Sequence, residues 1–479
     1  MRCPVSLIPL VLAAAIGVFL ISIDERAGRA WAAAPASDQV GGQLHASASA
    51  PRSPVAAAHA VASGPVGVRV TMPPVGLSIE YPVMAEELGI GACPPAALVR
   101  ELLRLGSPPL ALAGASQDLT VPSGAVTGSP GSWETATLYS LPGSFWSQLR
   151  CLLSSVKEPL TVGINAERGS LAWAQQMVAG AQSAATNGLD FSLGNEPDLY
   201  ILPNYASLGK KLSLEEDIAA VNLYLRLATY LRQAIGGFSS VGPELANAKH
   251  WHRQLPGVIS QLHEGTVGVH MYPFSACKDP RAATIPGLLS ARAADAPRSL
   301  AWVVADARAA GLRAIISEAN SISCGGIPGV SNSPAAAVWA VRFVLSALKT
   351  GFGEVRFHLS GASYDPFSVR GAEVLRRPLE SALFAVNRWL PVGSSLRTAG
   401  GAPGVLATAV GGTPGGARMI LDNEQAHAQT IVLPAAHAVI VESLSATRSG
   451  LGTLTLHPSA GHIRIRVSGN SVLAMLAAA

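Results

Sequence analysis

Between residues 76 and 389 the chain alternates, eight times over, a short apolar run with strand character and a stretch with helical spacing. A parallel strand pair needs a crossover of a dozen or more residues, usually a helix, so such a series restricts the chain to a helix-covered parallel sheet. Eight units in unbroken order point to an α/β chain whose sheet closes on itself, a (β/α)8 barrel, rather than to an open doubly wound sheet. The expected strands are 76–81 (GLSIEY), 109–112, 160–165, 189–193, 238–243, 266–272 (TVGVHMY), 313–318 and 354–359. The expected helices are 95–105, 144–156, 171–186, 214–235, 252–262, 299–310, 334–350 and 374–389. No glycine-rich nucleotide fingerprint opens any of them.

The full 479 residues exceed such a barrel, and beyond about Pro391 the texture changes. Short β-rich runs at 405–410, 417–421, 429–433, 438–441 and 462–467 alternate with Gly, Pro and Ser clusters, which predicts a β-sandwich over 391–479. Val66, Val68 and Val70 suggest an edge strand, ended by Pro73-Pro74, that returns to join that sandwich. The barrel is then expected over 65–390, with 65–74 belonging to the β-domain.

Residues 1–32 read as an export segment: Arg2, an uncharged apolar run over 5–23, and small residues at Ala30-Trp31-Ala32. The run is long, so an uncleaved membrane anchor competes with a cleaved signal, and only that anchor would make a membrane a partner. Residues 33–64, rich in Ala, Ser, Pro and Gly, read as a disordered linker. Either way the folded part is expected to be secreted or at the cell surface. There, four of the five cysteines, Cys93, Cys151, Cys277 and Cys324, allow disulfides in three pairings. A Cys277–Cys324 bridge would tie two strand-end loops together and leave Cys93 to pair with Cys151; four free thiols are the alternative. A net charge of +4 with scattered basic residues argues against nucleic acid.

The chemistry points to two glutamates. In LDFSLGNEPDLY (189–200) the alternation of Leu189, Phe191 and Leu193 stops at Gly194-Asn195-Glu196-Pro197, where proline removes a backbone donor. Glu196 therefore stands at the mouth of a strand, where a barrel places its chemistry. AIISEAN (314–320) has the same construction and ends on Glu318. Two such carboxyls, about 5–5.5 Å apart, are what glycoside hydrolysis with retention requires, one as acid/base and one as nucleophile.

Asn195-Glu196-Pro197 resembles the acid/base motif of the clan of retaining (β/α)8 glycosidases. SEANSISCGGIPGVSNSPAAAVWAVRF (317–343), GLSIEY and ASQDLT (115–120) together resemble glycoside hydrolase family 79, the β-glucuronidase and heparanase family. The resemblance implies Glu196 as acid/base, Glu318 as nucleophile, Asn195 on the sugar's 2-hydroxyl, and Tyr272 hydrogen-bonded to Glu318. Glu80 and Asp118 would take other hydroxyls. A uronate carboxylate would be met by the backbone of Gly325 and Gly326, by Tyr364, and by His358 at the end of the eighth strand. The substrate class implied is a β-glucuronide or related glycan, with no cofactor and no metal.

The chain departs from the family at two places. Leu110-Ala111-Leu112-Ala113-Gly114-Ala115 stands where the family often has Leu-Arg-Ile-Gly-Gly-Asn, and Ile322 or Ser323 stands where an aromatic is common. These losses leave a neutral sugar as the alternative glycone. A non-catalytic carbohydrate-binding barrel is the other alternative. Lys249-His250-Trp251-His252 offers a histidine pair without a third ligand nearby, and no Gly-x-Ser-x-Gly elbow supports a serine hydrolase.

Overall fold

The structure is a computed structural model that describes residues 67–125, 138–202, 212–262, 265–400 and 402–477. The expected export segment, the linker and Val66 lie outside the described residues. The strands Val75–Ile79, Leu110–Leu112, Leu160–Ile164, Leu189–Leu193, Ser240–Leu245, Thr266–Met271, Arg313–Ala319 and Val355–Leu359 pair in parallel, and the last closes on the first into an eight-stranded barrel. The first strand is buried throughout, as expected for a strand covered by barrel interior on one side and helices on the other.

Helix ends follow local chemistry. Ser213 and Glu216 form a reciprocal capping box at the start of Leu214–Ile235, and Gly236 ends that helix at a positive φ. The closing helix begins at Pro378 rather than at 374, because a residue preceding proline favours extended backbone. Glu373–Arg376 instead pairs with Phe367–Arg370 as a hairpin. Likewise Tyr81 leaves the first strand and opens the helix Tyr81–Leu88, which has a proline in its first turn.

Beyond the barrel lies a seven-stranded antiparallel sheet. Its order is Val68–Arg69, Ser395–Ala399, Val405–Gly411, Arg418–Asn423, Ser471–Ala477, Val439–Ser445 and Arg448–Leu456. Val68 pairs with Leu396, so the chain's first described strand is an edge of this sheet. Alternate residues face two cores: Ile420, Val472 and Ala474 pack with the barrel, while Leu421, Leu473 and Met475 pack against the ladder Gln429–Pro434/His462–Val467. The strands Ser395–Ala399, Arg448–Leu456 and Ser471–Ala477 were not expected. Disulfides join Cys93 to Cys151 and Cys277 to Cys324.

The helix Pro334–Thr350 lies between barrel and sheet, which explains why it lacks a polar face: residues 335–348 are all buried. Its buried charge, Arg342, reaches Asp422 of the sheet through Nε and Nη2 at 3.0 and 2.8 Å to Oδ1. Nη1 and Nη2 also donate to the carbonyls of Leu289 and Asn423. Arg342→Met should destabilise the chain by about 3 kcal/mol, because Asp422 loses its countercharge in a dry site. Urea unfolding of Arg342→Met, Asp422→Leu and the double variant checks this; the double variant should recover much of the loss.

Candidate active site

The site begins where the fourth barrel strand stops. Gly194 has φ +92°, and an added Cβ there would strike the Tyr200 hydroxyl and Ala166, so this turn needs glycine. Glu196 follows in left-handed backbone at φ +47°, an arrangement that costs of order 1 kcal/mol for a residue with a side chain. The turn is pinned from below by Asp118. Its carboxylate accepts from the backbone N–H of Asn195 (2.9 Å), Ala166 (2.8 Å) and Glu167 (3.3 Å) and from the Tyr200 hydroxyl (2.7 Å). Asp118 is therefore buried and occupied, not presented to a sugar as expected; its work is to shape the loop that carries Asn195 and Glu196.

Glu318 is aimed by a different device. The seventh strand changes register between Ile316 and Glu318 against the sixth strand, and again between Ile316 and Ala319 against the eighth. A bulge of this kind turns a side chain without ending the strand. Tyr272 then donates its hydroxyl to Glu318 Oε1 at 2.8 Å.

His270 occupies the space between the two glutamates. Its Nδ1 donates to Glu196 Oε1 at 3.0 Å and lies 3.8 Å from Glu318 Oε1. A donor atom of each of the three residues falls within 4.8 Å of the others, so the two carboxyls approach to that separation or less. They face a cavity of about 600 Å³ whose lining includes Glu80, Asn195, Gly325, His358 and Tyr364. Of the residues expected at the site, Asp118 and Gly326 are not among that lining. Gly326, at φ +76°, instead sits so close to Ser331 and Ser363 that a side chain would collide with both.

Electrostatics separate the pair. Burial raises the Glu196 carboxyl above its usual range, and the His270 bond only partly offsets it. Burial acts the same way on Glu318, but the charges of His358 and His270 and the Tyr272 hydroxyl outweigh it and hold the group below its usual value. For His270, burial opposes the charge, yet the surrounding Glu318, Glu196 and Glu244 push its pKa up to about 10. Three donor atoms this close have cation-binding spacing, and His270, as a cation, would join such a site only by giving up a ring proton. The arrangement sets two carboxyls at one cavity in environments that push their pKa values apart, Glu196 up and Glu318 down.

Glu80 lines the cavity while its oxygens accept from the backbone of Ala115 (3.0 Å) and Ser116 (2.7 Å). His250 and His252 do not converge. His250 bonds Asn247, whereas His252 packs its ring against Trp302. Trp251 between them is fully buried. Sequence reasoning missed His270, although it stands two residues before Tyr272 and so shares its strand face. It also missed Lys278, in the turn after the sixth strand, and Arg292, in the short helix Ala291–Ala294, which line the cavity from segments whose composition carries no sign of it.

No family model matches the chain, and no curated protein matches it. Solved structures do. A 4-O-α-L-rhamnosyl-β-D-glucuronidase from Fusarium oxysporum 12S aligns over 88% of this chain and 100% of its own, with TM-score 0.66 and 16% identity. The GH51 arabinofuranosidase from Xanthomonas axonopodis pv. citri aligns over 86% and 98%, with TM-score 0.62 and 13% identity. The catalytic domain of GH30 xylanase C from Talaromyces cellulolyticus aligns over the same shares, with TM-score 0.53 and 12% identity. At these identities the likeness establishes the fold: a TIM barrel with a C-terminal β-domain.

Proposed function

We propose that this chain is a retaining glycoside hydrolase that removes a terminal β-glucuronic acid by double displacement. The observation that carries the reading is the Glu196–Glu318 pair, its oxygens within 4.8 Å at the C-terminal ends of two barrel strands. That spacing falls on the short side of the carboxyl separations of glycosidases, the side on which the second carboxylate itself attacks. Glu196 would give its proton to the glycosidic oxygen as Glu318 bonds to the anomeric carbon. Glu196, now ionised, would then take a proton from water as that water's oxygen displaces Glu318.

A uronate glycone is favoured by the cations at the cavity. Lys278 and Arg292 line it without an acidic partner among the described residues. The glucuronidase among the structural neighbours agrees with this reading without carrying it. Two disulfides suit an oxidising compartment and hence a secreted protein. No helix among the described residues is long and apolar enough to cross a membrane.

A neutral glycone is the second reading, because His358 is engaged by Glu80 and Glu318 and Ala111 and Ala115 supply no polar group. A panel of aryl β-glycosides separates the two. The glucuronide should turn over at least about tenfold faster than the glucoside or galactoside, and its first-formed sugar should be the β-anomer. Faster hydrolysis of a neutral glycoside would overturn the substrate assignment, and first release of the α-anomer would overturn the mechanism.

A further inference from the structure

Glu318 is flanked by imidazoles on both oxygens, and only one of them, His270, also touches Glu196. The other, His358, stands at the end of the eighth strand and is 4% exposed. Its Nδ1 lies 3.5 Å from Glu318 Oε2 and 3.4 Å from the Ser78 hydroxyl, and its Nε2 lies 3.3 Å from Glu80 Oε1. Glu80 is in turn fixed by the N–H groups of Ala115 and Ser116. Glu80, just past the first strand, His358 on the eighth and Glu318 on the seventh thus form a continuous acid–imidazole–acid row.

Gly114 makes the row possible. It has φ +83°, and an added Cβ would collide with both His358 Cε1 and the Glu80 carboxylate. The loop backbone can therefore lie against the pair, bringing the two amides onto Glu80. A histidine with carboxylates beyond both ring nitrogens is stabilised as the doubly protonated cation, which donates from both ends.

We propose that Glu80 and His358 are positioning residues, a fixed imidazolium clamp that keeps Glu318 ionised and oriented for attack, and not contacts for sugar hydroxyls or a uronate. The inference rests on Glu318 being the nucleophile of the proposed reaction. His358 faces Ser78 from the first strand and Glu80 just past it, Glu318 from the seventh, and Tyr364 and Asp365 from the loop that follows its own strand. Glu318 faces His270 and Tyr272 from the sixth strand and the Glu196 carboxyl from the fourth. Burial works against the charge on His358, but Glu318 and Glu80 outweigh it and push its pKa up to about 9. At neutral pH it is a cation, and a cation beside Glu318 favours the carboxylate.

Two measurements test this. The first is the pH dependence of inactivation by 2-deoxy-2-fluoro-β-glucuronyl fluoride, whose leaving group needs no proton from Glu196, so the acid limb reports the ionisation of Glu318. In His358→Gln that limb should move up by at least about one pH unit, a tenfold loss on its acid side over and above any fall in the plateau at higher pH. A uniform loss at every pH with the limb unmoved would mean a sugar contact and overturn the proposal. The second needs no turnover and stays informative if the fluoride fails to label the protein, an outcome that counts against the glucuronidase reading itself. Nitrogen-15 NMR of the unmodified protein should show His358 doubly protonated to pH 8 or above, and Glu80→Gln should lower its titration. An imidazole that deprotonates near pH 6.5 in both proteins would overturn the clamp.

Discussion

Glu318→Ala should lower kcat/KM for any glycoside by on the order of 10⁴-fold or more, whatever the leaving group. In the proposed mechanism this removes the attacking carboxylate, the bond-forming partner itself, and good leaving groups do not replace it. Glu196→Ala should behave differently. General acid assistance is worth about 10²–10⁴-fold, and most of that applies only where the departing oxygen is a poor leaving group. An aryl glycoside with an acidic phenol should therefore still form the glycosyl-enzyme in Glu196→Ala and accumulate it as a burst. Added azide, which needs no base, should release it as the β-azide. Equal losses in the two variants on every leaving group would reverse or dissolve the assigned roles. The pH profile of the unaltered protein should be bell-shaped: activity requires Glu318 ionised, which its lowered pKa secures to lower pH, and Glu196 protonated, which its raised pKa extends to higher pH.

The second large effect is on stability, far from the cavity in sequence. Glu158 precedes the third barrel strand, is 1% exposed, and neither carboxyl oxygen has a hydrogen-bond partner. Burial alone pushes its pKa from 4.5 up to about 9. Below the unfolded value both states hold the proton, and the group has no effect on the folding equilibrium. Between the two values the unfolded chain releases the proton while the folded chain keeps it, so stability falls as pH rises, by about 1.4 kcal/mol per unit. Near neutrality the accumulated cost is about 3 kcal/mol. Glu158→Gln keeps the shape and removes the titration, so it should be about 2–3 kcal/mol more stable than the natural chain at pH 7, the gain shrinking towards zero near pH 4.5. Urea midpoints for both proteins from pH 4.5 to 8.5 measure this; parallel curves would show that the carboxyl is solvated.

The barrel was legible because its signal is local. Leu214–Ile235 and Pro334–Thr350 have the predicted bounds, since a capping serine, a first-turn proline and a terminal glycine act within a few residues of the helix end. The strand Ser471–Ala477 was not legible: it is buried on both faces and so shows no alternation. Arg448–Leu456, mostly exposed, shows little alternation for the opposite reason.

For the site, the residues alone named Glu196 and Glu318, because an apolar strand that stops at an acid is a pattern read along the chain. Tertiary structure decided everything that depends on distance across it: that the two carboxyls nearly meet, that His270 bridges them, that Asp118 props a loop, and that His358 belongs to Glu80 and Glu318. The reason is that ionisation in a buried site is set by charges a few ångströms away in space, and parallel barrel strands bring together residues dozens to hundreds of positions apart.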